Sequence, residues 1–177
     1  TAPKPTSTPR ASVDQAFQEM SVQSGAVVQP IPSLEGDWDV AQASELLSFI
    51  EGIGAEGLTP ADYSPGKLKA AIAAGEGDDL NVLASETFVW LVEDLRDGRT
   101  PMSARKQWFV VDPDPDRMPT GRVLQTALAS GDIAGTLNGL NPVHPDYARL
   151  KEELAATPAS SATKRKLIRA NMDRWRW

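Results

Sequence analysis

The sequence predicts a mainly α-helical protein, a compact multi-helix domain with at most one or two short strands. Three observations carry this expectation. Apolar residues recur at three- and four-residue steps in several segments, Gly and Pro stand where those segments start and stop, and only one short run favours extended backbone. At 177 residues, 41% of them hydrophobic and 24% charged, the chain can bury a core and needs no disulfide to hold it.

Residues 1–12 (TAPKPTSTPRAS) hold almost no large apolar side chain and read as a flexible Pro/Thr/Ser leader. Residues 13–156 read as a helical domain. Ser12 is placed to cap a helix through Val13, Ala16, Phe17 and Met20 that Ser24-Gly25 ends, and Pro30, Pro32 and Gly36 make an irregular connector. Over residues 39–53, Val40, Ala43, Leu46, Leu47, Ile50 and Ile53 share one helix face, with Gly52, Gly54 and Gly57 expected to fray its end. The turn Gly57-Leu58-Thr59-Pro60-Ala61-Asp62-Tyr63 follows, and Leu58 and Tyr63 are expected to pack back on the neighbouring helices.

A short helix is then predicted from Ser64-Pro65 to Ala74, with Pro in its first turn and Gly75 at its end. Residues 79–97 predict the central helix. Leu80, Ala84, Phe88, Leu91 and Leu95 form its buried stripe, Asp78 and Asp79 suit its start, and Gly98 supplies the left-handed stop. The run Gln107-Trp108-Phe109-Val110-Val111 favours a strand without an evident partner. Thr120 is expected to cap a helix to about residue 130, and Asp132 to open a short one to about residue 140. A turn over residues 141–145 should precede a helix at 146–156 with Tyr147 and Leu150 inward. Residues 157–162 (TPASSA) read as a linker, and residues 163–177 as an amphipathic basic helix. On a regular helix its Leu167, Ile168, Asn171, Met172 and Trp175 lie on one side, opposite Arg165, Lys166, Arg169 and Arg176.

The net charge of −6 is unevenly spread. Residues 164–177 carry six Lys and Arg against one Asp, about +5, which leaves roughly −11 on the remainder. Such a helix can lie on an anionic membrane, grip nucleic acid or pack its Trp-bearing side against protein. Packing is the preferred reading, and no nucleic-acid partner is expected. The longest apolar run, residues 88–92, falls far short of the roughly 20 residues that span a bilayer.

Catalytic chemistry finds little support. The chain has no Cys, which removes every thiol mechanism, and its one histidine, His144, lies between two prolines without a Gly-x-Ser-x-Gly elbow. His144 is read as ordering the turn or capping the next helix. One His and no Cys also argue against zinc, and no cofactor is expected. Asp112, Asp114 and Asp116 copy the first ligand positions of a calcium loop, but Arg117 and Val123 stand where the turn glycine and the bidentate Glu belong, so a surface turn is preferred. Glu86, Glu93 and Asp94 can be nominated as hydrolytic carboxylates, yet Glu93 and Asp94 are expected to face solvent or to pair with Arg96 and Arg99.

Several short patterns occur in a fixed order: Gly57-Leu58-x-Pro60-x-x-Tyr63, Asp94-Leu95-x-x-Gly98-Arg99, Leu124 with Ala127-Leu128, Leu140-x-Pro142-x-His144-Pro145-x-Tyr147-x-x-Leu150, and Ile168-x-x-Asn171-Met172-x-Arg174-Trp175-x-Trp177. In order and spacing the chain resembles the scaffold region of the large periplasmic murein L,D-transpeptidases of the YcbB type. It departs from many of them in having only about twenty residues between Leu150 and Asn171, where a peptidoglycan-binding module is often inserted. The resemblance implies a periplasmic protein that continues past Trp177 into a catalytic domain, whose Cys in a Ser-x-Gly-Cys type motif forms 3-3 cross-links. This chain by itself would be a non-catalytic scaffold. Its partners would be that catalytic domain, with peptidoglycan or other envelope proteins as further ones. Asn171, Arg174, Trp175 and Trp177 would form the domain interface, and Gly57, Leu58, Pro60, Tyr63, Gly98, Arg99, Pro142, His144 and Tyr147 the structural motif. A free-standing murein- or membrane-binding module is the alternative, and a carboxylate-dependent murein hydrolase the remotest reading.

Overall fold

Asp39 begins the first helix of the structure, a computed structural model that describes residues 34–101, 104–105 and 118–177. Its carboxylate accepts from the Gln42 backbone N–H (2.7 Å), and the Gln42 side chain accepts from the Asp39 N–H (3.3 Å). This reciprocal capping box satisfies two donors that would otherwise be orphaned at the helix start. Helix α1 (Val40–Gly52) buries Ala43, Leu46 and Ile50. It does not fray at its glycines as expected. The chain tightens into a 3-10 turn, Ile53–Glu56, and Gly57 closes it with a left-handed φ of 77°. Ile53 and Glu56 are buried there, so tertiary packing outweighs the weak helix propensity of Gly52 and Gly54.

A second 3-10 turn, Pro60–Tyr63, buries Tyr63, and Leu58 is buried beside it, as the sequence predicts. Helix α2 (Pro65–Ala74) has Pro at its first position and Gly75 at its end. Helix α3 (Asp78–Arg96) carries both acidic residues in its first turn, where the helix dipole favours them. Leu80, Ala84, Phe88, Leu91 and Leu95 are all buried, and α3 packs against α1, α2, α4 and α5. Each large apolar side chain of this stripe withdrawn from water contributes about 1.5–3 kcal/mol to cohesion. Trp38 meets Phe88 edge-on with centroids 5.8 Å apart, and its indole N–H donates to the Ser85 hydroxyl at 2.9 Å.

Helix α4 (Thr120–Ser130) corrects one expectation. Thr120 is not the cap. Pro119 holds that position, and Thr120 is the first helical residue, its hydroxyl donating to Glu93 and accepting from Arg96, each at 3.3 Å. Asp132 does cap the short helix α5 (Ile133–Asn138), accepting from the Gly135 N–H at 2.7 Å. Helix α6 (Pro145–Ala156) starts at a His144 cap and buries Tyr147 and Leu154.

Helix α7 (Ala162–Arg174) packs on α6, and Tyr147, Leu154, Ile168 and Met172 form a second cluster between them, with Leu150 against it. Arg165 donates to the carbonyl oxygens of Leu154 (2.9 Å) and Thr157, covering the open end of α6. The fold is therefore helical as predicted, with seven α-helices and no strand among the described residues. The helix expected at residues 13–20, the strand expected at 107–111 and the Asp112-Asp114-Asp116 run lie outside those residues.

Candidate functional site

The patterned residues meet where the last turn of the chain joins the body. Gly98 ends α3 with φ 78°, and a Cβ there would stand 3.0 Å from the Asp173 carbonyl oxygen and 3.1 Å from the Trp177 ring. Only glycine suits that combination of backbone angle and close approach. Asp173 accepts from the Arg99 N–H (2.7 Å), the Thr100 hydroxyl (2.6 Å) and the Trp177 indole N–H (3.2 Å). Burial works to raise its pKa, but the hydrogen bonds from Thr100, Arg99 and Trp177 outweigh it and hold the carboxyl below its ordinary value. The Arg105 guanidinium lies over the Trp177 ring, 5.2 Å from its centroid.

On the other side of the terminus, Arg176 donates to the Glu56 carbonyl oxygen at 2.7 Å and to the Tyr147 hydroxyl. Tyr147 in turn donates to the Glu56 carboxylate at 2.8 Å, and Lys151 bonds the second carboxylate oxygen. Burial first, then Glu56, push the Tyr147 phenol far above its ordinary pKa against the pull of Arg176. Arg176 is only 6% exposed, although a regular helix would turn it outward. The helix stops at Arg174. Beyond it, Arg176 N–H bonds Asp173 and Trp177 N–H bonds Arg174 in three-residue steps, so the spacing of 100° per residue no longer applies.

A third joint lies at the α6 cap. The His144 Nδ1 accepts from the Asp146 N–H at 3.2 Å, which is the capping role predicted for it, and its ring stacks on Trp175 with centroids 4.3 Å apart. Pro142 is half-buried just before this joint and Val143 fully exposed. Gly57 sits against Met172, whose Sδ would be 3.2 Å from an added Cβ. Pro60 opens the second 3-10 turn. Tyr63 donates to Asp94 at 2.6 Å, and Arg99 joins Asp94 (Nε to carboxylate 3.5 Å) with Asp62.

These contacts also place the nominated carboxylates. Asp94 pairs with Arg99 as predicted but is buried, where facing solvent was the other expectation, because Tyr63 closes over it. Glu93 is half-buried beside Thr120, and burial chiefly raises its pKa, while Glu86 is exposed. No group of three His, Asp or Glu side chains among the described residues is arranged to hold a metal.

The residues expected to face a partner are less enclosed. Asn171 and Arg174 are exposed, Trp175 is 40% exposed, and Trp177 is half-buried. Together with Asp146, Arg149, Leu150 and Glu153, the first three line a groove of about 690 Å³ between α6 and α7. Sequence reasoning missed Glu56, Asp173 and the inward Arg176. The local signal for them is slight, since Glu56 and Arg176 find their partners far away in sequence and Asp173 takes two of its three donors from Arg99 and Thr100.

The described polar groups hold helices to one another, and the fold they make is that of a helical scaffold. A family model described as Scaffold domain matches residues 35–154, and the chain belongs to that family. The matched span ends inside α6, before α7 begins. No curated protein and no solved structure matches the chain.

Proposed function

We propose that this chain is the non-catalytic scaffold region of a periplasmic cell-wall L,D-transpeptidase, and that it positions a Cys-bearing catalytic domain. The supporting observation is the three-sided fixing of the Arg174-Trp175-x-Trp177 segment by Gly98 to Thr100, by Glu56 with Tyr147, and by His144. A segment held in that way carries a following domain at a defined angle, as a flexible tether does not. Asn171, Arg174 and Trp175 would touch that domain, while Trp177 would mark its root. Peptidoglycan or other envelope proteins are the further partners proposed.

The test is the encoded sequence beyond Trp177 together with an assay of its product. A Cys in a Ser-x-Gly-Cys setting, and 3-3 cross-linking of tetrapeptide-bearing murein by the longer chain but not by these 177 residues, is the expected result. Retention of the 177-residue chain on purified sacculi at physiological salt would instead favour a murein-binding module. Murein turnover by this chain, lost in Glu93→Gln, would overturn the scaffold reading in favour of a hydrolase.

A further inference from the structure

We infer that the outer groove between α6 and α7 is a docking site for an acidic amphipathic helix of a protein partner. The inference rests on the interface reading of Asn171, Arg174 and Trp175 above, and gives that interface a chemistry. It does not depend on the partner being a transpeptidase domain.

Helices α6 and α7 form a hairpin around the short turn at residues 157–161, with Tyr147, Leu154, Ile168 and Met172 buried in it. On the outer side Leu167, Asn171 and Trp175 follow one another at four-residue steps along α7, so they lie on neighbouring positions of one face. Leu167 is 62% and Trp175 40% exposed. Leu150 of α6 lines the groove together with Trp175. The stack on His144 holds the Trp175 ring from one side, so the aromatic surface is in place before anything binds.

The charges decide what kind of apolar face fits. Asp146 pairs with Arg149 at 3.0 Å, and Glu153 pairs with Lys164. Arg174 bonds only the neutral amide of Asn171, at 3.2 Å, among the described residues. The groove therefore combines Leu and Trp surface with one guanidinium, that of Arg174, that bonds no carboxylate among the described residues. A complementary occupant brings apolar side chains and a carboxylate next to them.

The shape favours a helix over a strand. A strand docks by adding to a sheet edge, and the described residues contain no strand. A helix laid between two others presents its i, i+3, i+4 and i+7 side chains to the groove. From Asp146 to Glu153 the α6 wall runs about 10 Å at 1.5 Å per residue, which is two turns of such a helix.

The experiment titrates a synthetic twelve-residue amphipathic helical peptide, with Leu on one face and Glu beside it, into the isotope-labelled chain. A second peptide has Lys in place of each Glu. The inference expects the Trp175 indole and Asn171 amide signals to move, with the Glu peptide binding about tenfold tighter than the Lys peptide. Arg174→Glu should reverse that preference while its thermal unfolding stays that of the parent chain. Equal binding of the two peptides, no binding of either at millimolar concentration, or shifts confined to other surfaces would overturn it. So would concentration-dependent self-association broadening the same signals without peptide, which would assign the groove to a second copy. The cross-linking and sacculus experiments read independently of these peptides, so failure of the groove and failure of the transpeptidase reading are told apart.

Discussion

Arg176 sits with its guanidinium 5.5 Å from the centroid of the Tyr147 ring while donating to that residue's hydroxyl. The same guanidinium reaches the Glu56 carbonyl oxygen, so one side chain joins the 3-10 turn after α1 to the start of α6. Replacing it with an apolar side chain of similar length leaves that carbonyl and the phenol short of a donor in a buried place. Arg176→Met should destabilise the fold by about 2–3 kcal/mol, read as a lower urea midpoint with an unchanged slope.

Two glycines with similar backbone angles separate strain from crowding. Gly131 has φ 70° with nothing within 4 Å of an added Cβ, whereas Gly98 has φ 78° and would meet Asp173 and Trp177. Gly131→Ala should cost about 1–2 kcal/mol, the backbone penalty alone. Gly98→Ala should cost at least about 1 kcal/mol more. Parallel thermal melts check the difference, and equal losses would deny that Gly98 is needed for close approach.

Asp173 gives the protein an acid-sensitive joint. Its folded pKa lies below the unfolded one, so the native state binds fewer protons between the two values. Its stabilisation is complete above the ordinary value of 3.8 and is lost as pH falls from there through the depressed value. Asp173→Asn should lower stability at neutral pH and flatten the loss below pH 4. Denaturant titrations at several acidic pH values measure both.

Glu93 should behave in the opposite sense. Burial raises its folded pKa above the ordinary 4.5, so stability declines as pH rises from that value through the raised one. Glu93→Gln keeps the acceptor for Thr120 without the charge. A melting temperature higher by at most about 3 °C at pH 7, and no difference well below pH 4, is the expected outcome.

What was legible in the sequence was what helices repeat locally. The stripe from Leu80 to Leu95 follows the 3.6-residue period, and Gly75, Gly98 and Asp132 stand at the helix boundaries their chemistry favours. His144 was legible too, because a cap is decided by the two residues that follow it. Thr120 was not, since the Arg96 and Glu93 side chains that engage its hydroxyl come from α3, some two dozen residues earlier. Arg176 was misplaced for a different reason: a helical wheel extended past Arg174 carries it outward, while the three-residue steps of the real terminus carry it in. The groove was half legible. Asn171, Arg174 and Trp175 were singled out in sequence, but the α6 wall that faces them, and the pairing of Asp146 with Arg149 and of Glu153 with Lys164, required the fold.

The bond from Arg176 to Glu56 spans 120 residues of chain, which has a consequence for the order of events during synthesis. Translation runs from the N-terminus, so the helices of the main core can assemble while Arg176 is still unmade. Until then Glu56 and Tyr147 wait without their guanidinium, and the nascent domain is a looser molecule than the finished one. Closing so long a loop adds little penalty, because the entropic cost grows only with the logarithm of its length. Arg176 therefore completes the joint: a nascent domain that lacks it has its helical core in place but not the bonds to Glu56 and Tyr147 that lock α7 to that core.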